Sequence, residues 1–572
     1  NLNLNDILEY MRLLFKIILI IFFSSNNLIS QERLNPVEIP ILLSGTFGEF
    51  RKTHFHSGID IKTQRKEGLR VRAIEDGDLV RVKVSTSGYG KVVYIRHYDG
   101  TTSVYAHLKK FSPKIQKIIK EFQYEKKKFE IEKFFREGEI KLKKSEIIGF
   151  SGNTGGSSGP HLHFELRDSK KERPLNPLKY GFFVLDTIPP TIQNIYIYKF
   201  LKEHTSKRKI IELTKNKNLF TVIDTIKTNG MFGIGYSGYD KQNLSYNRNG
   251  IYKRELTING KKIFSYKFDE LTFPDGKKID LLIDYEAYNI DKIRIKKLYQ
   301  TIESKFSFLK KDNNNGLFKV LKDSIYNVKI LFEDFNKNKS IVKMVLIGDD
   351  KDNDLYFTKN DFNDKPYQPD KEYKVKYELL NLNIPKNAFY EPTNLNFDYK
   401  LDTLMIEKFT KAPKKGLSLE FFLPKNLDSI SHRQICIGRL NFGRKNKIQY
   451  VHGKKNDTLI YAKNISEGKY FLTKDSKSPS IRPINFQNGK WVSNLSILKI
   501  RVDDNLSGIK KYNGYINGKW ILMEYEPKRK LLFFEFNDLK FDESKLKLNL
   551  SLEDMVGNVN KFEASLYREI IK

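Results

Sequence analysis

Histidine and aspartate at short, regular spacings are the residues of this chain best suited to hold a metal ion. His56-Ser57-Gly58-Ile59-Asp60 supplies two donors, and His161-Leu162-His163 supplies two more about a hundred residues later. A strand sends residues i and i+2 to one face, so the spacing predicts His161 and His163 in a single pocket. His56 and Asp60, at i and i+4, are expected to share a face too. Of nine histidines, six (His54, His56, His97, His107, His161 and His163) fall in the first third of the chain. Three N/O donors around an open position would hold zinc in a form that acidifies water. No H-E-x-x-H helix occurs, which excludes the thermolysin-type arrangement.

An H-x-H pair alone equally describes two half-exposed strand histidines, and its context is what sets it apart. The glycine-rich run Gly152-Asn153-Thr154-Gly155-Gly156-Ser157-Ser158-Gly159-Pro160 feeds directly into the alternating His161-Leu162-His163-Phe164-Glu165-Leu166. Tyr105-Ala106-His107-Leu108 ends another strand pattern. His54 lies two residues before His56 and stands as an alternative ligand. His97, closing Val92-Val93-Tyr94-Ile95-Arg96, reads as a packing or hydrogen-bonding residue. Glu165 reads either as support for a ligand or as an outward strand carboxylate.

Taken in order, H-S-G-I-D at 56–60, G-L-R-V-R-A at 68–73, Y-A-H-L at 105–108 and S-S-G-P-H-L-H-F-E at 157–165 resemble the LytM/lysostaphin-type zinc metallopeptidases of bacterial peptidoglycan. The resemblance spans residues 40–182. It implies Zn2+ held by His56, Asp60 and His163 with water in the fourth position, and His107 and His161 as catalytic histidines beside it. It also implies a β-rich fold with a groove over an antiparallel sheet. All five positions are filled, unlike related proteins that act only as activators. The implied function is an exported zinc metalloendopeptidase that hydrolyses peptide cross-links of peptidoglycan. Its rival is a non-catalytic envelope protein that uses the same fold to activate a partner hydrolase. A glycine bridge and a D-alanyl-to-diamino-acid link both suit the family; the latter is favoured because no wall-anchor signal is present.

The remaining elements must position these residues and bring the chain to its site of action. Met11-Arg12 followed by the apolar run Ile17 to Phe23 reads as a signal peptide over 11–30, too short for a comfortable membrane span. Periplasm or cell envelope is the expected location, with membrane attachment only through an uncleaved signal segment. The metallopeptidase domain is expected over 31–185. Within it, 111–144 reads as a helix-containing insertion, with Ser112 as N-cap, Pro113 at N1 and Ile115, Ile118, Ile119 and Phe122 at helical spacing. Two readings stand for it: a wall restricting the groove, or surface decoration.

Beyond 185 the pattern becomes β-type, and an internal repeat is visible. Asp186-Thr187-Ile188-Pro189 parallels Asp475-Ser476-Lys477-Ser478-Pro479; Ile258-Asn259-Gly260-Lys261 parallels Ile516-Asn517-Gly518-Lys519; Glu333-Asp334-Phe335-Asn336-Lys337-Asn338 parallels Glu553-Asp554-Met555-Val556-Gly557-Asn558. Immunoglobulin-like modules are therefore expected at 186–346 and 475–572, with a β-rich region of unknown role at 347–474. The fold class is mainly β: a LytM-type β-sheet metallopeptidase domain with a helical insertion, followed by immunoglobulin-like β-sandwich modules. The modules are expected to space, attach to the wall or bind an envelope partner. The net charge of +33 is spread nearly in proportion to length with no nucleic-acid motif, which argues against a nucleic-acid partner and for attraction to the anionic wall. The lone Cys436, between apolar neighbours, excludes an intramolecular disulfide and reads as a core residue.

Overall fold

Alternating apolar residues run through most of the chain, and its computed structural model is correspondingly built of strands. Residues 33–202, 205–222, 225–349, 366–443 and 447–570 are described; the signal segment expected at 11–30 and His204 lie outside them. The N-terminal part contains β1 (Leu43–Gly45), β2 (Ile59–Lys62), β3 (Arg70–Arg72), β4 (Gly77–Val84), β5 (Lys91–His97), β6 (Thr101–Leu108), β7 (Lys110–Phe111), β8 (Ile131–Phe134), β9 (Lys141–Leu142), β10 (Ile147–Phe150), β11 (His161–Asp168) and β12 (Pro174–Leu175). Nine strands form one antiparallel sheet in the order β1-β2-β11-β6-β5-β4-β8, with β12 on β11 and β9 on β4. β3, β10 and β7 form a second, small sheet.

The central strands are buried on both faces, and the faces differ. Val93, Ile95, Tyr105, Leu108, Phe164 and Leu166 enter the main apolar core. Val92, Tyr94, Val104 and Ala106 form a small apolar cluster on the other face, and the histidines lie on that side.

The insertion holds more than a helix. Its helix, Pro113–Lys126, starts after an extended Ser112 with proline in the first turn, and Ile115, Ile119 and Gln123 are buried. The Ser112 side chain makes no cap hydrogen bond, so its capping role is positional only. β8 and β9 then pair with β4 at the sheet edge remote from β2.

Residues 191–348 form sheets of six and eight strands; 373–474 form two of five; 480–567 form two of four. The last two pairs each enclose their own apolar layer. Both I-N-G-K segments are hairpin turns with positive φ at the Asn and the Gly, 46° and 81° at Asn259 and Gly260, 48° and 77° at Asn517 and Gly518. That is the type I′ geometry Asn-Gly favours. Cys436 is buried in the strand Ile435–Leu440.

Two packing arrangements were not foreseen. The core of residues 37–184 runs unbroken into that of 191–346, with Phe55 5.7 Å from Phe268 and 5.1 Å from Phe308 between ring centres. The C-terminal sheets also fold back onto the N-terminal part. Lys91 pairs with Glu524 at 2.7 Å with both side chains buried, Lys120 meets Glu535 and Asp538, and Tyr124 packs edge-on against Trp520. The insertion is thus a platform for the C-terminal sheets rather than free decoration.

Candidate metal centre

Strand register explains most of the site. On β11 and β2, His163 stands directly opposite Asp60, so both side chains leave the sheet on one face. His163 is also paired with Ala106 of β6. Simple alternation would therefore send His107 to the opposite, core face. It does not go there, because β6 carries an extra residue against β5 between the Lys91–Leu108 and Val93–Tyr105 pairs, and His107 has a φ of 60°. The bulge turns its ring back beside the others, 4.9 Å from His161 and 5.8 Å from His163. A left-handed conformation at a non-glycine residue is sparsely populated, so this placement depends on the surrounding sheet.

His56 arrives differently from the face-sharing its spacing predicts. It lies in the loop before β2, held by backbone hydrogen bonds to Gly48 and Glu49. Gly58 lets that loop meet β11: a Cβ there would stand 2.3 Å from the Phe164 carbonyl oxygen.

Three donor atoms converge. His56 Nε2 lies 3.0 Å from Asp60 Oδ1 and 3.1 Å from His163 Nδ1, and the last two are 2.9 Å apart. Tetrahedral zinc with ligands at about 2.0–2.1 Å separates its donors by about 3.3 Å, so the triangle is nearly preformed. The outer atoms are all tied down. His56 Nδ1 donates to the Thr46 carbonyl at 2.9 Å, His163 Nε2 donates to Glu165 Oε1 at 2.8 Å, and Arg51 donates to Asp60 Oδ2 at 2.8 Å. One nitrogen each of His56 and His163 and one oxygen of Asp60 remain for an ion, the arrangement by which outer partners set the tautomer of a histidine that holds a metal. His56, Asp60 and His163 could thus hold a cation.

His161 and His107 stand beside this triangle with their own Nδ1 atoms donating to the carbonyls of Gly159 (2.8 Å) and Thr154 (2.9 Å). The Nε2 of His161 lies 3.4 Å from Asp60 Oδ1, at the edge of the triangle. Burial, then the neighbouring His163 and His161, push His107 down to about 3, so it is neutral at pH 7. His163 moves the other way: burial opposes its charge, but its hydrogen bonds to the Asp60 and Glu165 carboxylates raise it to about 9. Asp60 is held well below the usual carboxylate range by His56, His161 and His163 against the effect of burial.

The uncommitted residues now have places. Glu165 is fully buried and faces inward, binding His163, Ser57 Oγ at 2.5 Å, Tyr89 and Arg167. His97 is buried and bonds the Asp76 carbonyl and Ser103 Oγ, a structural role. His54 is exposed and outside the donor triangle. Sequence reasoning missed Arg51, Tyr89, Ser57 and Arg167. Only Arg167 left a signal, since His161, His163, Glu165 and Arg167 are polar residues alternating with Leu162, Phe164 and Leu166.

The histidines open into a cleft of about 730 Å³. Its walls include His54, Tyr89, Ser157 and Ser158, together with Asn247, Leu271, Thr272 and Phe273 from beyond residue 186. No residue of 111–144 lines it, so the insertion does not restrict the groove. Lys528 of the C-terminal sheets instead reaches the glycine-rich loop, donating to the Ser157 carbonyl at 3.0 Å and to Asn153. A larger cavity of about 910 Å³ lies elsewhere, beside Tyr198, Arg208 and Asp284. The Tyr198 hydroxyl and Arg208 both donate to Asp284 Oδ2, at 2.7 and 2.6 Å.

Residues 54–124 match the model of peptidase family M23. The DD-carboxypeptidase/endopeptidase Mpg of Neisseria meningitidis serogroup B is 36% identical over 123 residues, 22% of each chain. Cell division protein DipM of Caulobacter vibrioides is 27% identical over 171 residues, 27% of this chain and 24% of that protein. The match thus spans about a quarter or less of these relatives. Among solved structures, the catalytic domain of the M23 protein EnpA from Enterococcus faecalis is 25% identical and covers 25% of this chain and 92% of its own, with a TM-score of 0.19. The motif order, the matched stretch and these relatives together identify a peptidase family M23 domain of the LytM/lysostaphin type, set in a large mainly-β chain.

Proposed function

We propose that this chain is an exported zinc metalloendopeptidase acting on the peptide cross-links of peptidoglycan in the periplasm or cell envelope. The observation that carries the reading is the triangle of His56, Asp60 and His163, whose outer atoms are all tied to other groups while their inner atoms point at one another. A bound zinc ion supplies Lewis acidity and brings the pKa of water to about 7. The protein's own groups do the rest. His107, neutral at pH 7, and His161 both line the cleft, able to take a proton from the attacking water and return one to the leaving amine, each contributing on the order of 10²- to 10⁴-fold. Arg51 holds Asp60 Oδ2, so that a single oxygen of Asp60, Oδ1, would be left for a metal.

Of two relatives named for a bond type, the DD-carboxypeptidase/endopeptidase of Neisseria is 36% identical and the glycyl-glycine endopeptidase ALE-1 of Staphylococcus capitis 32%, and the higher identity supports a D-alanyl-to-diamino-acid link over a glycine bridge. The experiment is mass spectrometry of the muropeptides released from purified peptidoglycan. Cross-linked dimers converted to monomers by zinc-loaded protein support the reading. Intact dimers, with protein that nevertheless activates a separate wall hydrolase, would establish the regulatory rival.

A further inference from the structure

The two repeated β units carry the same buried acidic constellation. Asp186, Asp240 and Asp334 in the first, and Asp475, Asp504 and Asp554 in the second, each bring one carboxylate oxygen within 4.8 Å of the other two. Asp186 and Asp475 open the parallel D-x-x-P and D-x-x-x-P segments, and Asp334 and Asp554 occupy the parallel E-D positions. Each unit adds a neutral oxygen that has no partner and is almost wholly buried. In the first it is Asn249 Oδ1, whose residue is 4% exposed; in the second it is Ser507 Oγ, at 7%. Both residues stand nine positions before the isoleucine of the I-N-G-K turn and directly before a glycine, so they occupy the same place in the repeat.

Their direction is defined. Asn249 is the cross-strand partner of Asp240, which places both side chains on one face. Asn249, Asp240 and Asp186 line one small cavity of about 30 Å³, room enough for an occupant the size of a water molecule or an ion. The Ser507 amide donates to Asp475 Oδ2 at 3.0 Å, so this residue with its unpartnered hydroxyl adjoins the second cluster. Asp240 Oδ1, Asp475 Oδ1 and Asp504 Oδ1 are unpartnered as well. Arg254, whose field reaches Asp240, bonds Tyr236 through Nε and leaves Nη1 without a partner.

We propose that each repeat holds one hard divalent cation of the calcium class, bound by Asp186, Asp240, Asp334 and Asn249 in the first unit and by Asp475, Asp504, Asp554 and Ser507 in the second. Three carboxylates whose oxygens lie within 4.8 Å of one another, two of each three buried, repel one another unless one takes up a proton or a cation lies among them. Four oxygen donors, with water completing the shell, suit Ca2+, which accepts six to eight oxygens in flexible geometry, better than Mg2+, which demands a tight octahedron. Each site lies where a unit joins the segment before it. Asn338 Nδ2 donates to the Asp186 carbonyl and Asn558 Nδ2 to the Asp475 carbonyl, while Gln434 of the preceding segment donates to Asn558 Oδ1. The ions stiffen these junctions and so hold the first unit against the cleft and the last against the insertion. This proposal is independent of the activity assigned above.

The test is equilibrium dialysis of full-length, zinc-loaded protein against calcium at millimolar concentration, with the bound metal measured directly. Two calcium equivalents are expected in the wild type, one in Asp240→Asn and one in Asp475→Asn. A second readout does not depend on how the variants fold: calcium at roughly ten times its dissociation constant should raise the wild-type Tm by about 5 °C, and sodium chloride of equal ionic strength should not. Fewer than two equivalents in folded wild type, or two still bound by both variants, overturns the proposal.

Discussion

Replacing Glu165 with Gln tests how the fold prepares the metal ligands. The carboxylate is fully buried and has two jobs at once: Oε1 accepts from His163 Nε2, and Oε2 accepts from Arg167 Nε at 2.7 Å and Nη2 at 2.6 Å. An amide has one carbonyl and one NH2, so it cannot accept from both. Whichever way Gln turns, a buried donor is left facing a donor. Loss of an outer-shell partner typically weakens metal binding about 10- to 100-fold. Breaking a buried ion pair costs about 3–5 kcal/mol. The lower end applies here, because Arg167 keeps Glu172 at 3.2 Å and the Tyr89 hydroxyl at 3.3 Å. For the unit that shares the unbroken core of residues 37–346 the shift is about 1.5 °C per kcal/mol, so a cost of about 3 kcal/mol lowers the Tm of the metal-free protein by about 5 °C. Zinc competition against a chelator of known affinity measures the first effect, and a melt in excess chelator the second. A large fall in Tm with zinc affinity unchanged would refute the reasoning, because Glu165 would then be only a counter-charge for Arg167.

Further expectations follow from the same geometry. His163→Ala should lose zinc and hydrolysis together, while His161→Ala and His107→Ala keep near-stoichiometric zinc and lose about 10²- to 10⁴-fold in rate; zinc lost from the His161 variant and kept in the His163 variant reverses the assignment. Phe273, half exposed on the cleft wall with Arg167 5.0 Å from its ring, should affect binding more than chemistry. Phe273→Ala is expected to raise KM severalfold on wall fragments with kcat and zinc content retained, and a fall in kcat alone would contradict its place on the wall. Lys91→Met leaves Glu524 buried without its partner, at a cost of about 3 kcal/mol. Limited proteolysis should then release the C-terminal sheets sooner than in wild type, and an unchanged digestion pattern would argue against that pair as the clamp.

Much of the site could be read in advance because its spacing is local. His161 and His163 follow from strand alternation, and the I-N-G-K turns follow from the positive φ that Asn and Gly tolerate. His107 was identified by its motif, but its face was not readable, because a bulge and one left-handed residue reverse the alternation. His56 and Asp60 meet through a loop and a strand rather than on a shared face. Arg51 leaves no periodic trace, since a short loop brings it to Asp60. The cleft wall at 271–276 and the docking of Lys91, Lys120 and Lys528 join residues about a hundred to four hundred positions apart, where no local pattern records a contact. The unbroken core beneath residues 37–346 escaped notice for the same reason, because strands on either side of residue 185 carry the same alternation.

Removal and return of the metal tests the central claim most directly. Purified full-length protein should carry one zinc in the His56, Asp60 and His163 site, lose peptidoglycan hydrolysis when a chelator strips it, and recover on addition of one equivalent of zinc. Hydrolysis that persists after metal analysis shows the site to be empty would contradict the account.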